Sequence, residues 1–233
     1  MTLPPGQRRV EGFPRFGAHF RRPPPSVPDD PVIEIWGAVK EPFDVPVAGL
    51  ATLPRRELVA DFHCVAGWSA TELRWEGVGF REFYESVVAP AVPPGETVTH
   101  LAFRGLDGYR SIVVLEDALG DDVLLADRLN GGALDGDHGA PVRFLSPSQY
   151  GFVSTKHLCR VEVHTSAPKE TYHPSPLVQF GLQLVKPHRR ARVWHEERHR
   201  YVPAWALRPV YRLLIPPFRA LASGGSDRSE GPA

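Results

Sequence analysis

Apolar and polar residues alternate at period two in VIEIWGAV (Val32–Val39), as they do in a half-buried strand, and VTHLAFRG, SIVVLE and LCRVEVH (Leu158–His164) predict three more. Helical spacing is scarce. GFREFYESVV, EDALGDDVLLADRL and PAWALRPVYRLLI are the candidate helices, each bounded or interrupted by Gly or Pro. In the last, Pro209 leaves only about one and a half uninterrupted turns. Ahead of the first strand, RRPPPSVPDDP fixes φ and removes amide donors, so residues 1–30 read either as an extended arm laid over the domain or as a disordered tail. Neither a regular βαβ alternation nor a G-x-G-x-x-G motif occurs. The pattern therefore predicts a mixed α+β domain over residues 31–165 and no dinucleotide site.

Composition narrows the classes further. A chain of 233 residues buries a core without disulfide or metal staples, so stability alone demands no ion. Lys+Arg and Asp+Glu are both 27, which removes the whole-chain signature of a nucleic-acid binder. Charge is uneven locally: over residues 186–220, Lys186 and eight arginines face Glu196 and Glu197, a local excess of about seven. Residues 166–233 thus read as a basic C-terminal extension, packed on the domain or contacting an anionic membrane surface or an acidic redox partner. No apolar stretch follows Arg8 and Arg9, and no run of about 18 apolar residues exists, so a cytoplasmic location is expected. In a reducing compartment Cys64 and Cys159 are expected to stay unpaired.

The chemistry centres on DFHCVAGWS (Asp61–Ser69). Cys64 can be a small buried hydrophobe between Phe62 and Val65, a nucleophile served by His63, or a metal ligand. Adjacent residues of an extended segment point to opposite faces, which argues against His63 as its base. No C-x-x-C or H-x-x-x-H partner stands near Cys64 in the sequence, and Cys159 is isolated, so zinc is not supported there. A single thiolate completing a metal whose other ligands belong to a cofactor stays open. Such an anionic cofactor needs cations, hydroxyls and planar donors from separated segments, and DHGAPVRF (Asp137–Phe144) with SQYGFVSTKHL (Ser148–Leu158) offers them: Arg143, Lys156, Ser154 and Thr155.

HCVAGWS followed by Trp75, Gly77 and Val78 in RWEGV, then DHGAPVR, then YGFVSTK, resembles the sulfite-oxidase-type molybdopterin oxidoreductases in order and spacing. LPPGQ and LLADRLNGGAL are similar to small stand-alone bacterial members, and the resemblance runs over about residues 3–165. It implies a mixed α+β fold around molybdopterin, with Cys64 as the thiolate on molybdenum. His138 and Arg143 would hold the pterin, Ser154, Thr155 and Lys156 its phosphate end, and His63 would touch the cofactor. Oxygen-atom transfer to or from a small substrate, with an external electron carrier, is the implied activity. A cofactor-binding or interaction protein without turnover, acting through the basic segment, is the alternative.

Two departures bear on the substrate. Asp127 in LLADRLNG stands where the family usually has a tyrosine facing the substrate, and an ionised carboxylate there would repel sulfite by about 4 kcal/mol at 4 Å and an effective dielectric of about 20. Its other reading is a solvated aspartate on a helix surface. The N-terminal PRFGAHF, with His19, replaces the arm of the family's sulfoxide-reducing branch, and only Tyr172 and His173 are left of the family's usual tail.

Overall fold

The computed structural model describes residues 2–15, 23–169 and 186–223; His19, Tyr172 and His173 lie outside the described residues. Two sheets face each other. The first contains β1 (Arg8–Arg9), β4 (Arg55–His63), β5 (Trp68–Gly79), β8 (Leu124–Leu129), β9 (Gly132–Ala133) and β10 (Arg143–Leu145). The second runs in the order β3 (Phe43–Pro46), β2 (Val32–Gly37), β11 (Leu158–His164), β6 (His100–Gly105), β7 (Arg110–Val114). Here Ile33, Ile35, Leu101, Phe103, Val113, Val161 and Val163 turn inward at alternate positions and are buried. They meet Val78, Leu125 and Phe144 of the first sheet. The helical turn α1 (Phe80–Phe83), continued as a wider turn over Tyr84–Val88, adds Phe80, Phe83 and Val88. Phe103 stacks on Phe144 at 3.8 Å, and Phe80 meets both edge-on at 5.3 and 5.2 Å.

Two expectations about helices are corrected. EDALGDDVLLADRL forms a helix only over α2 (Leu115–Ala118); the chain turns after Gly120 and continues as β8. Leu124, Leu125 and Ala126 are buried because β8 lies between β5 and β10 with core on both faces, so its apolar residues run together and imitate a helix. The tail departs in the other direction: α3 (Ala204–Ser223) continues through Pro209. Proline there leaves the carbonyl of Trp205 without its donor, and both residues are exposed, so water supplies one.

The N-terminal arm lies on the first sheet. β1 pairs in parallel with the start of β5, Arg8 opposite Trp68, and the Phe13 ring packs against Phe62 at 4.9 Å and Trp75 at 5.8 Å. Arg190 ties the tail to Glu116 and Asp117 of the domain, while Arg192 with Glu197 and Arg208 with Glu196 are ion pairs within the tail.

Candidate functional site

β4 and β5 form the longest hairpin of the structure, and Cys64 opens the turn between them. The turn is closed by Cys64 N–H to the Trp68 carbonyl at 2.8 Å and Gly67 N–H to the Cys64 carbonyl at 2.9 Å. Gly67, at φ +98°, takes a conformation that a side chain would strain, and a Cβ there would stand 3.0 Å from the Gly6 carbonyl. The Gln7 side-chain amide donates to the Cys64 carbonyl at 3.0 Å, and its oxygen accepts the Ser69 hydroxyl at 3.1 Å. Since that hydroxyl has one hydrogen, the 2.8 Å contact from His63 Nδ1 to Ser69 Oγ is a donation by His63. Nε2 of the neutral ring is then an acceptor, and burial favours that neutral ring. His63 thus engages Ser69, its register partner on β5.

Cys64 is buried in a second apolar cluster with Phe62, Trp68 and Trp75, and it forms no disulfide. Burial pushes its thiol up to about 12, against the opposing pull of the Ala66 amide and Arg198. Left to itself it is a protonated, unreactive thiol at neutral pH, which disfavours the nucleophile reading. Among the described residues no group of three or more His, Cys, Asp or Glu side chains could hold a metal ion. Any metal at Cys64 would draw its other ligands from a cofactor or solvent.

Two loops bring cations onto this cluster. Arg143 is fully buried, its guanidinium 5.3 Å from the ring centroids of both Phe62 and Trp75. It donates to the carbonyls of His138 at 3.0 Å and Ser154 at 3.2 Å, tying DHGAPVR to YGFVSTK. Its Nε and the Trp75 Nε1 are buried without hydrogen-bond partners among the described residues, and burial alone pushes the guanidinium down to about 9. A desolvated cation with an unused donor and no carboxylate partner is the residue set a bound anion completes. Gly139 and Gly151 permit the approach. A Cβ on Gly139 would lie 3.1 Å from Lys156 Cβ and 3.3 Å from Arg143 Cβ, and one on Gly151 would strike the Phe62 ring at 2.2 Å. Gly151 N–H also donates to the His63 carbonyl at 2.7 Å, joining the YG turn to the cysteine strand.

His138 stacks on Phe13 at 4.9 Å and bridges Asp135 Oδ1 at 2.8 Å and the Phe13 carbonyl at 2.9 Å. The Ser154 hydroxyl accepts the Ser146 N–H at 3.1 Å. Thr155 is fully buried, its hydroxyl 2.8 Å from that of Ser111. Lys156 donates to the Asp137 carbonyl at 2.5 Å. Burial, then Arg143 and Arg15, pushes its ammonium down to about 7. In the unfolded chain the amine titrates near ~10.4. Between those values the unfolded state holds the extra proton, so the stability of cofactor-free protein should rise with pH by up to about 1.4 kcal/mol per unit. Lys156→Met should flatten that rise in melts recorded between about pH 7 and pH 9; an unchanged slope would mean that the ammonium is solvated.

Asp127 is not gathered with these groups. It is the extra residue of a bulge in β8 opposite Glu76 and Gly77, and its carboxylate forms a bidentate pair with Arg55 at 2.6 and 2.7 Å. Arg55 pairs in register with Val78, which belongs to the inter-sheet core, whereas Cys64, Phe62 and Trp75 share the other face. The helix-surface reading fails with the helix itself.

Sequence reasoning missed two residues. Gln7 was visible only as part of LPPGQ. Arg198, in the basic extension, is 1% exposed and donates to the carbonyls of Val65 and Gly6, with the Pro5 carbonyl at 3.4 Å. Its guanidinium lies 5.2 Å from the Tyr150 ring centroid. One side chain thus joins the arm, the cysteine turn and the YG turn.

A buried thiol on the hairpin turn, and an uncompensated guanidinium that joins two loops over the same aromatic pair, are the chemistry that an anionic cofactor completes. The chain matches the oxidoreductase molybdopterin binding domain family over residues 20–172 and belongs to it. That family is the sulfite-oxidase-type molybdopterin oxidoreductases, and molybdopterin is the cofactor of its domain. The chain is 26% identical over 193 residues to the protein-methionine-sulfoxide reductase catalytic subunit MsrP of Gluconobacter oxydans, covering 75% of this chain and 60% of that protein. It is 28% identical over 166 residues to the uncharacterized oxidoreductase YuiH of Bacillus subtilis, covering 71% and 76%. The chain thus spans about three fifths of the length of that MsrP. The sulfane dehydrogenase SoxCD of Paracoccus pantotrophus shares the fold, with a TM-score of 0.51 and 23% identity over 60% of this chain and 39% of that one.

Proposed function

We propose that this protein reduces sulfoxides by oxygen-atom removal, with Cys64 as the protein ligand to molybdenum. The observation that carries the cofactor part of this reading is Arg143, a fully buried guanidinium with an unused donor and no carboxylate, held over Phe62 and Trp75 beside the cysteine turn. The cofactor supplies two-electron redox chemistry coupled to oxygen-atom transfer. The chain's part is binding and orientation. Arg143 and Lys156 bind the anionic groups of the pterin, as charge-assisted contacts about twice as strong as neutral ones. His138, Ser154 and Thr155 hold the two loops in register around them. Cys64 would have to release its proton to serve as the metal's ligand, because burial otherwise keeps it protonated. His63 presents Nε2 as a neutral acceptor next to that ligand.

Sulfoxide reduction is chosen over sulfite oxidation because the MsrP relative is named for the former activity. The overall step takes two electrons and two protons, yielding a thioether and water, and an external carrier must deliver the electrons. Asp127, neutralised by Arg55, serves as a bulge-fixing partner instead of a substrate contact. The test is to purify the protein from a molybdenum-replete host, measure metal and released pterin per chain, and assay it with a reduced viologen as donor. One of each per chain and turnover of methionine sulfoxide are expected. Absence of both metal and pterin would overturn the cofactor roles given to Cys64, Arg143 and Lys156. Oxidation of sulfite without sulfoxide reduction would overturn the substrate alone.

A further inference from the structure

A cavity of about 640 Å³ opens beside the exposed edge strand β7 and shares no residue with the Cys64 cluster, Arg143 or Lys156. Six cations line it: Arg104, Arg110, Lys169, Lys186, Arg189 and Arg200. No aspartate or glutamate does so among the described residues. Of the carboxylates that reach lining side chains, Glu162 is shared by Arg110 at 2.7 Å, Arg104 at 3.6 Å and His164 at 3.4 Å, and Glu197, 3.4 Å from His188, is paired with Arg192 at 2.7 Å. Lys169 and Arg189 have no ion-pair partner among the described residues. His100, also in the lining, is shifted toward its neutral form by burial and then by the positive charges of His164 and Arg189.

Cations on a convex surface are ordinarily solvated, but cations gathered in a concavity focus their field on one volume. The volume matches that of small-molecule sites, about 300–1,000 Å³, and exceeds what a lone phosphate fills. Concavity also favours a small ligand over the face of a protein. Hydrogen bonding is built into the same walls: Tyr109 donates to the Phe152 carbonyl at 2.6 Å and Ser111 to the Val153 carbonyl at 3.0 Å. The walls are thereby fixed to the YGFVSTK loop. We propose that this cavity binds a small polyanion carrying two or more phosphate or carboxylate groups, at a site separate from the cofactor's.

The site stands independently of the proposed reaction, and its test uses holoprotein, so that the cofactor occupies its own site. Titration calorimetry with inorganic triphosphate and with citrate at low ionic strength should give one saturable site for at least one of them, weakened at least tenfold by 0.2 M salt. The double variant Lys169→Gln, Arg189→Gln, both exposed and outside the cofactor site, should weaken it at least tenfold with molybdenum content unchanged. No saturable binding of either probe, or equal binding by the variant, overturns the proposal. Binding of poly-glutamate without binding of either small anion overturns it in favour of an acidic protein partner.

Discussion

Replacing Cys64 by serine is expected to lower turnover by at least about a hundredfold while most of the pterin stays bound, more than the tenfold-to-hundredfold losses of outer-shell changes. The substitution changes one atom at a position whose backbone is held independently of the side chain, by Trp68, Gly67 and Gln7. The hydroxyl occupies almost the same space, so the turn persists. A serine hydroxyl does not ionise as a thiol does, and a soft metal centre prefers sulfur. Pterin retention rests on Arg143 and Lys156, in other loops, and should be nearly untouched. Turnover, molybdenum and released pterin measured on the same preparation separate these effects. Activity near wild type would remove Cys64 from the metal.

Arg198→Ala should destabilise the protein by about 3 kcal/mol or more, because it empties a fully buried side-chain position and removes charge-assisted donors from the part-buried carbonyls of Val65 and Gly6. For a chain of this length that corresponds to a fall of roughly 6–12 °C in Tm. The cysteine turn would lose its brace at the same time, so molybdenum retained after gel filtration should fall as well. Arg198→Lys keeps the charge but not the planar fork, and should restore only part of either quantity. A melt unchanged from wild type would show that the tail is not latched onto the turn.

Legibility followed how local each signal was. β2, β6, β7 and β11 were visible because one face of each is core and the other is not, and period two survives in their sequences. The β4–β5 hairpin is harder to read: Leu58, Ala60 and Phe62 alternate with charged or exposed neighbours, as do Leu73 and Trp75, but Arg55, Glu57, Glu72, Arg74 and Glu76 on its wetter positions make the stretch as polar as a surface loop. β8 was unreadable in principle, since a strand buried on both faces has no alternation left to read. In the site, DHGAPVR and YGFVSTK stood out because glycines, cations and hydroxyls recur there at short range. Arg198 did not: nothing local distinguishes it from the eight other arginines of the tail. The pairing of Asp127 with Arg55, 72 residues apart, was hidden for the same reason.

The contact between Arg198 and Val65 spans 133 residues, and this separation has a meaning in time. At about 5–20 residues per second, the ribosome delivers the latch some 7 to 27 seconds after the turn it secures. During that interval the cysteine hairpin can fold without the arginine that closes over it. For that interval the turn rests on the hydrogen bonds of Cys64, Gly67 and Gln7.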